Sequence, residues 1–319
     1  MFDRSAPDIA TRLGVDVPRG WWSTAPLLKG LEAAGFAWVQ VHTPPREILC
    51  DRERSGRHAA ALRTALNTSG LRLILHGPDD LSAGDPDHDR ALDGLLDYAA
   101  ATRARYVVYH GANFPVVDGG AAAARIHQRA VAEESALRER VARIERLGFT
   151  LAVENLAPVW PGPPRLCHSP RYIRELVMRV GSPNVGMLLD LGHANIAAGL
   201  AGGELRAILE SVSDAVCLFH VHDNLGARRA PSPGPGLDPL RLDLHLAPGS
   251  GRLPWERIAP ALVSHPAPLM LEVHPPHRPE PTSLATVTSE LLLRRPLPID
   301  GSRTALADVT AERRSVPLG

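Results

Sequence analysis

Nine residues of this chain have types and placements that could do chemistry together: His76, His110, Glu154, Asp190, His193, His220, Asp243, His245 and Glu272. Five are imidazoles and four are carboxylates. Both kinds of side chain bind divalent metals, and a mixed nitrogen–oxygen set suits zinc, manganese, cobalt or iron(II) better than calcium. One ion takes about four to six ligands, so nine positions fit two or three ions, or one ion and a polar substrate.

Most of these residues sit where an apolar run stops. VGMLL at 185–189 ends at Asp190, with His193 three residues on; LRLIL at 71–75 ends at His76; YVVY at 106–109 ends at His110. FTLAV at 149–153 ends at Glu154, the run 215–219 leads into His220-Val221-His222, and PLML at 268–271 ends at Glu272. A single strand-end histidine is ordinarily structural, and Asp190 alone reads equally well as the cap of a turn. Recurrence once per unit favours a shared site. An ionised glutamate closing a buried strand also needs a partner, because burying it unpaired is costly. Alternation puts His220 and His222 on one side of their strand. His222 and His274 are further candidates for supporting or substrate-facing groups.

These residues require strands to carry them. Apolar runs at 12–17, 36–41, 71–75, 106–109, 149–153, 185–189, 215–219 and 268–271 read as eight strands. Helices are predicted at about 25–34, 50–69, 89–102, 120–147, 170–181, 204–212, up to 263, and 282–293, with Ser169-Pro170 a clear start. Regular alternation of strand and helix implies a parallel sheet. Eight units favour a single (β/α)8 barrel, whose strand ends share one mouth where active sites lie. No GxGxxG follows the first strand, so no nucleotide cofactor is expected. The barrel is expected over residues 1–295, with 296–319 a polar, flexible tail. The Pro/Gly-rich stretch 225–240 reads as a solvated loop or as a lid whose Arg228 and Arg229 reach an anionic substrate. Trp21-Trp22 suits either rim packing or a sugar-stacking platform.

The totals narrow the partners. The 319 residues suit one barrel, and Lys+Arg and Asp+Glu are both 35, so no global basic field draws the chain to nucleic acid or an acidic membrane. No apolar run reaches the ~18 residues of a membrane span. Three cysteines without CxxC spacing, and a first stretch without an apolar signal core, suggest reduced thiols and a cytoplasmic setting. Self-association into a homo-oligomer is left open.

Over about residues 11–293 the chain resembles the xylose isomerase-like TIM barrels. The resemblance is carried by LHGP at 75–78, YHG at 109–111, VENLAP at 153–158, LLDLGHANIAAG at 188–199, FHVHDN at 219–224, DLHLAPGSG at 243–251 and LEVHP at 271–275. In the sugar isomerases and epimerases of that superfamily the matching Glu154, Asp190, His220 and Glu272 would bind one divalent metal and His193 would touch substrate. Glu154 and Glu272 would then move a proton through a metal-stabilised enediolate, with His76, His110 and His222 toward the substrate. In the endonuclease IV-type apurinic-site nucleases all nine positions would bind three zinc ions, and this chain has an acceptable residue at each.

Three features oppose the nuclease reading: Pro78-Asp79-Asp80 stands where an apolar DNA-entering loop belongs, no glycine- and serine-rich stretch follows Glu154, and net charge is zero. GSGRLPWERI at 249–258 is more similar to the sugar-modifying branch. The resemblance therefore implies a metal-dependent isomerase or epimerase of a small sugar or sugar-like hydroxy-carbonyl compound. The alternatives are a multinuclear zinc phosphodiesterase and a non-catalytic metabolite-binding barrel.

Overall fold

The computed structural model describes residues 8–20, 22–116, 120–158, 164–227 and 243–294. Its strands are β1 (Leu13–Asp16), β2 (Trp38–His42), β3 (Arg72–His76), β4 (Tyr106–Tyr109), β5 (Thr150–Glu154), β6 (Val185–Asp190), β7 (Val216–Val221) and β8 (Leu269–Leu271). Neighbours pair in parallel, and β8 returns to β1, so the sheet closes into a barrel in sequence order. This is the (β/α)8 architecture the sequence predicts. The inward residue of one strand stands level with a residue two positions earlier on the next at four joints: Gln40 with Ile74, His76 with Val108, Glu154 with Leu188, and His220 with Met270. Those steps tilt the strands as closure demands.

The helices are α1 (Ala25–Ala33), α2 (Arg46–Leu49), α3 (Arg52–Leu66), α4 (Pro86–Thr102), α5 (Gly120–Leu147), α6 (Pro170–Val180), α7 (Leu191–Ala201), α8 (Leu205–Val212), α9 (Trp255–Ser264) and α10 (Pro281–Leu293). Local chemistry sets their ends. Ser169 caps α6 by accepting from the Tyr172 N–H, with Pro170 in the first turn, and Gly181 closes it at φ 71°.

Two helix expectations need correction. The helix predicted over 50–69 is two, α2 and α3, because extended Asp51 interrupts it and caps α3 by accepting from the Glu53 and Arg54 N–H groups. The sequence reading also missed α7, which starts directly at the end of β6. Its residues Leu191, Gly192, His193, Ala194, Ile196 and Ala198 are buried, so it has no polar stripe to betray a helical period.

Outside the barrel wall, residues such as Leu75, Val107, Leu151, Leu189 and Phe219 pack against the helices. Inside it, Trp38, Ile74, Val108, Ala152, Leu188, Leu218 and Met270 form an apolar floor. β1 contributes Gly14 there, where an added Cβ would lie 2.3 Å from Met270 Sδ and 2.6 Å from Trp38 Cβ. Two residues further along each strand, the inward positions become Asp16, Gln40, His76, His110, Glu154, Asp190, His220 and Glu272. The period-2 alternation of a strand thus lifts one polar side chain per unit above the floor.

The cysteines Cys50, Cys167 and Cys217 are unpaired. No helix among the described residues is long and apolar enough to cross a membrane. The expected tail at 296–319, Arg228 and Arg229, and most of the 225–240 stretch lie outside the described residues.

Candidate metal and substrate site

The nine candidates converge at the barrel mouth. Glu154, Asp190, His220 and Glu272 each place a ligand atom within 4.8 Å of the others. Among the described residues three further groups meet the same criterion: His76 and His110 with Asp79; His193, Asp243 and His245 with His222; and Asp16 and His42 with Glu272. The Glu154 carboxylate joins the first two groups, with Oε1 3.1 Å from His220 Nδ1 and Oε2 3.1 Å from His110 Nε2. His76 Nε2 is 3.7 Å from the same Oε2. Asp190 and His220 are fully buried beneath the cavity, whereas Glu154 and Glu272 line it.

Asp190 does two jobs. Its carboxylate caps α7, accepting from the His193 N–H at 2.7 Å, and still faces His222 Nε2 at 3.1 Å. The capping and ligand readings of the sequence are therefore compatible. The position of His222 depends on Gly192, where an added Cβ would meet the imidazole at 2.1 Å.

The hydrogen bonds around the histidines fix which nitrogen is free. His76 Nδ1 donates to the Gly77 carbonyl (2.9 Å), His193 Nδ1 to the Asn155 carbonyl (2.9 Å) and His245 Nδ1 to the Glu272 carbonyl (2.8 Å). In each case Nε2 is left to face a carboxylate; those of His193 and His245 both stand 3.3 Å from Asp243 Oδ2. His245 reaches this place with φ +46°, a left-handed conformation uncommon outside glycine.

His220 is fixed from the other side. The Gln40 amide donates to Glu272 Oε1 (3.1 Å), so its carbonyl oxygen must accept from His220 Nε2 at 2.8 Å. Nδ1 of His220 then faces Glu154 Oε1 at 3.1 Å, Glu272 Oε2 at 3.3 Å and Asp190 Oδ2 at 3.7 Å.

A bare nitrogen and a carboxylate repel, so a proton or a cation must lie between them. With a proton there, burial opposes the charge, but Glu272 and Glu154 hold the His220 imidazole well above its usual range. Burial likewise opposes the charge on His245, yet Asp243 lifts it to about 9. Burial works against ionisation of Glu154 too, and His220, His110 and His76 still hold its carboxyl well below the usual range. Glu154 Oε2, Asp243 Oδ1 and His222 Nδ1 are buried without a hydrogen-bond partner among the described residues. Oriented imidazoles, converging carboxylates and orphaned oxygens together fit a divalent metal.

Above the ligands lies a cavity of about 690 Å³. Its described lining holds five carboxylates (Asp16, Asp79, Glu154, Asp243, Glu272) against two arginines, and one of these, Arg19, is already paired with Asp79 at 2.7 Å. The other, Arg165, hydrogen-bonds Asn113 through Nη1 and has no carboxylate partner among the described residues, so carboxylates outnumber arginines in this lining. His274 is solvent-exposed on the rim, stacked on His245 at 4.3 Å.

The sequence reading missed Asp16, Gln40, His42 and Asn155. Asp16 and Gln40 occupy the same inward step as the ligands, so strand alternation could have found them, but neither glutamine nor a first-strand aspartate stands out by type. His42 lies 3.4 Å from Asp16, and its ring is tilted 38° against that of His76 with centroids 4.8 Å apart. Asn155 ties β5 to β6 by accepting from the Asp190 N–H at 2.9 Å and donating to its carbonyl at 3.2 Å. Asp223 accepts from Trp255 Nε1 (2.8 Å) and from the N–H groups of Gly249 and Leu253 (3.0 Å each). The GSGRLPWERI segment is thus anchored structurally.

A barrel closed in sequence order, with residues at its strand ends that could hold a metal ion, defines the class of protein. The chain belongs to the xylose isomerase-like TIM barrel family, whose model matches residues 28–290. An uncharacterized protein of Methanocaldococcus jannaschii is 34% identical over 92 residues, which span 29% of this chain and 30% of that relative. Among solved structures, a D-tagatose 3-epimerase-like protein superposes with a TM-score of 0.62 at 17% identity, covering 88% of this chain and 97% of that one. The 3-keto-D-glucoside 4-epimerase of E. coli gives 0.61 at 13% identity, covering 88% and 98%. At these identities the likeness is one of fold.

Proposed function

We propose that the protein is a metal-dependent isomerase or epimerase of a small, uncharged hydroxy-carbonyl compound of the sugar type. The observation that carries this reading is the central group: two glutamates facing one oriented imidazole at the base of an acidic cavity. Glu154, Asp190, His220 and Glu272 would hold one divalent ion, which when bound supplies Lewis-acid polarisation of a carbonyl. Glu154 and Glu272 line the cavity from β5 and from the end of β8, three strands apart around the barrel. One takes the proton from the carbon beside the carbonyl, giving an enediolate, and the other returns it. Return on the opposite face epimerises the carbon; return to the neighbouring carbon isomerises aldose and ketose. His193 and the rim histidines hydrogen-bond substrate hydroxyls. The fold relatives named as epimerases support this class, although a fold alone does not fix a reaction.

A second reading has its own support. The free Nε2 atoms of His76, His193 and His245 complete two further ligand groups, as a multinuclear zinc phosphodiesterase would need. The excess of carboxylates in the lining weighs against a phosphodiester substrate. The deciding experiment is hydrogen exchange at the carbon beside the carbonyl, followed by NMR in deuterated water with metal-reconstituted protein and a panel of ketoses and aldoses. It is run against cleavage of duplex DNA bearing one abasic site. Exchange that Glu272→Gln abolishes is expected. Metal-dependent DNA cleavage without exchange on any sugar would overturn the proposal in favour of the second reading.

A further inference from the structure

We propose that a second cavity, beside the one above the ligands, is a binding site for a neutral, hydroxyl-rich ring such as a pyranose unit. It measures about 630 Å³, within the ~300–1,000 Å³ of small-molecule sites. It lies over the segments that follow β1, β2 and β3, and is closed behind by His58 and Leu62 of α3. Arg19, His42 and Asp79 line both cavities, so the two adjoin.

Three features point to the chemistry of the occupant. Ser23 and Thr43 line the cavity, and their hydroxyl oxygens are buried with no hydrogen-bond partner among the described residues. Ser23 is only 2% exposed. No described residue uses these hydroxyls, and a ligand hydroxyl meets the same need once the side chain turns toward the cavity. Trp22, in the same wall, is 48% exposed, and the His58 ring meets it edge-to-face at 4.8 Å. An exposed indole held in this way offers an apolar platform to the C–H face of a sugar ring. The cations of this cavity are spoken for: Arg19 pairs with Asp79 at 2.7 Å and Arg46 with Asp80 at 2.8 Å. A phosphate would have to break one of these pairs, whereas a neutral ring need not.

The site takes the part of the substrate that does not react, so the substrate is larger than a monosaccharide. That last step rests on the proposed sugar chemistry; binding of a ring in the cavity does not. The first experiment uses methyl α-D-glucopyranoside, which has no free carbonyl, with the full-length chain and saturation-transfer NMR. Binding is expected, weakened at least tenfold by Trp22→Ala and several-fold by Ser23→Ala with Thr43→Val. Absence of transfer, or an equal signal in Trp22→Ala, overturns the site. Tighter binding of glucose 6-phosphate than of the glucoside overturns its neutral character.

The second experiment compares fructose with the glucosyl-fructose isomaltulose by hydrogen exchange on metal-loaded protein. The disaccharide is expected to have at least tenfold the kcat/KM of fructose, an advantage that Trp22→Ala removes. Glucoside binding without exchange on either sugar leaves the site standing and defeats the proposed reaction. Exchange on fructose without glucoside binding does the reverse.

Discussion

The floor and the mouth of this barrel are built from the same eight strands, two residues apart, and they have opposite chemistry. The floor is Gly14, Trp38, Ile74, Val108, Ala152, Leu188, Leu218 and Met270, close-packed and apolar. The mouth is Asp16, Gln40, His76, His110, Glu154, Asp190, His220 and Glu272, polar throughout and in part completely buried. Side chains two apart on a strand share a face, so the mouth stands directly on the floor. Burial of the floor stabilises the fold, whereas the mouth gathers like charges that a cation or protons must hold together. The barrel thereby keeps stability and chemistry on separate rungs of one ladder, so substitutions on each rung should fail in different ways.

The largest effect is expected in the mouth. Glu154→Gln and Asp190→Asn should each lower metal affinity by more than the ~10–100-fold typical of losing an outer partner, and activity with it, while the fold persists. Elemental analysis and thermal melts check this, and unchanged metal content in both variants would break the contrast. On the floor, Leu188→Ala should cost about 2–5 kcal/mol in denaturant unfolding, by cavity formation, with metal stoichiometry retained. Loss of metal in a still-folded Leu188→Ala protein would show that the two rungs are coupled.

Smaller effects sharpen the boundary between them. Gln40 sits in the mouth layer but binds no metal in this reading; it orients His220 and Glu272. Gln40→Leu should weaken metal binding by ~10–100-fold, as read by competition with a chelator, with little change in unfolding free energy. Glu133 on α5 is 1% exposed and accepts from Tyr109 Oη (2.6 Å) and the Ala112 N–H (2.9 Å), holding the turn that follows β4 and carries His110. Glu133→Ala leaves both donors unpaired and should cost about 1–3 kcal/mol for each, measured in denaturant.

The smallest prediction concerns pH. Burial, helped by nearby Arg165 and His193, lowers His168 to about 4. Its folded pKa lies below the ~6.5 of an unfolded histidine, so the unfolded chain binds the proton first. The contribution to stability is complete above pH ~6.5 and is lost as the pH falls toward about 4. The drop in Tm over this window should be shallower in His168→Gln; an identical drop would remove His168 as a source.

Much of this was legible because it is local. Apolar runs stopping at Glu, Asp or His marked six of the eight strand ends, and Ser169-Pro170 marked a helix start, because caps and strand periods act over a few residues. Where the sequence misled, the cause was a local signal with two meanings. Asp51 is polar in a polar helix, yet it ends one helix and caps the next. Leu191–Ala201 is buried too evenly to show a period. Gln40 and Asp16 carry the same step as the ligands without the residue types that draw attention.

By itself, then, the chain determined the eight strand–helix units, the apolar floor and the presence of one polar side chain above it on most strands, since each follows from periodicity within a segment. The tertiary structure decided the rest. It alone closes the barrel, so that Gln40 of β2 reaches His220 of β7 and Glu272 after β8, and bends the 243–245 segment back so that Asp243 meets His193. It alone turns three histidines so that Nδ1 is used and Nε2 is free. Those outcomes depend on contacts between residues far apart in the chain, as between Gln40 and His220, and no pattern confined to one segment contains them.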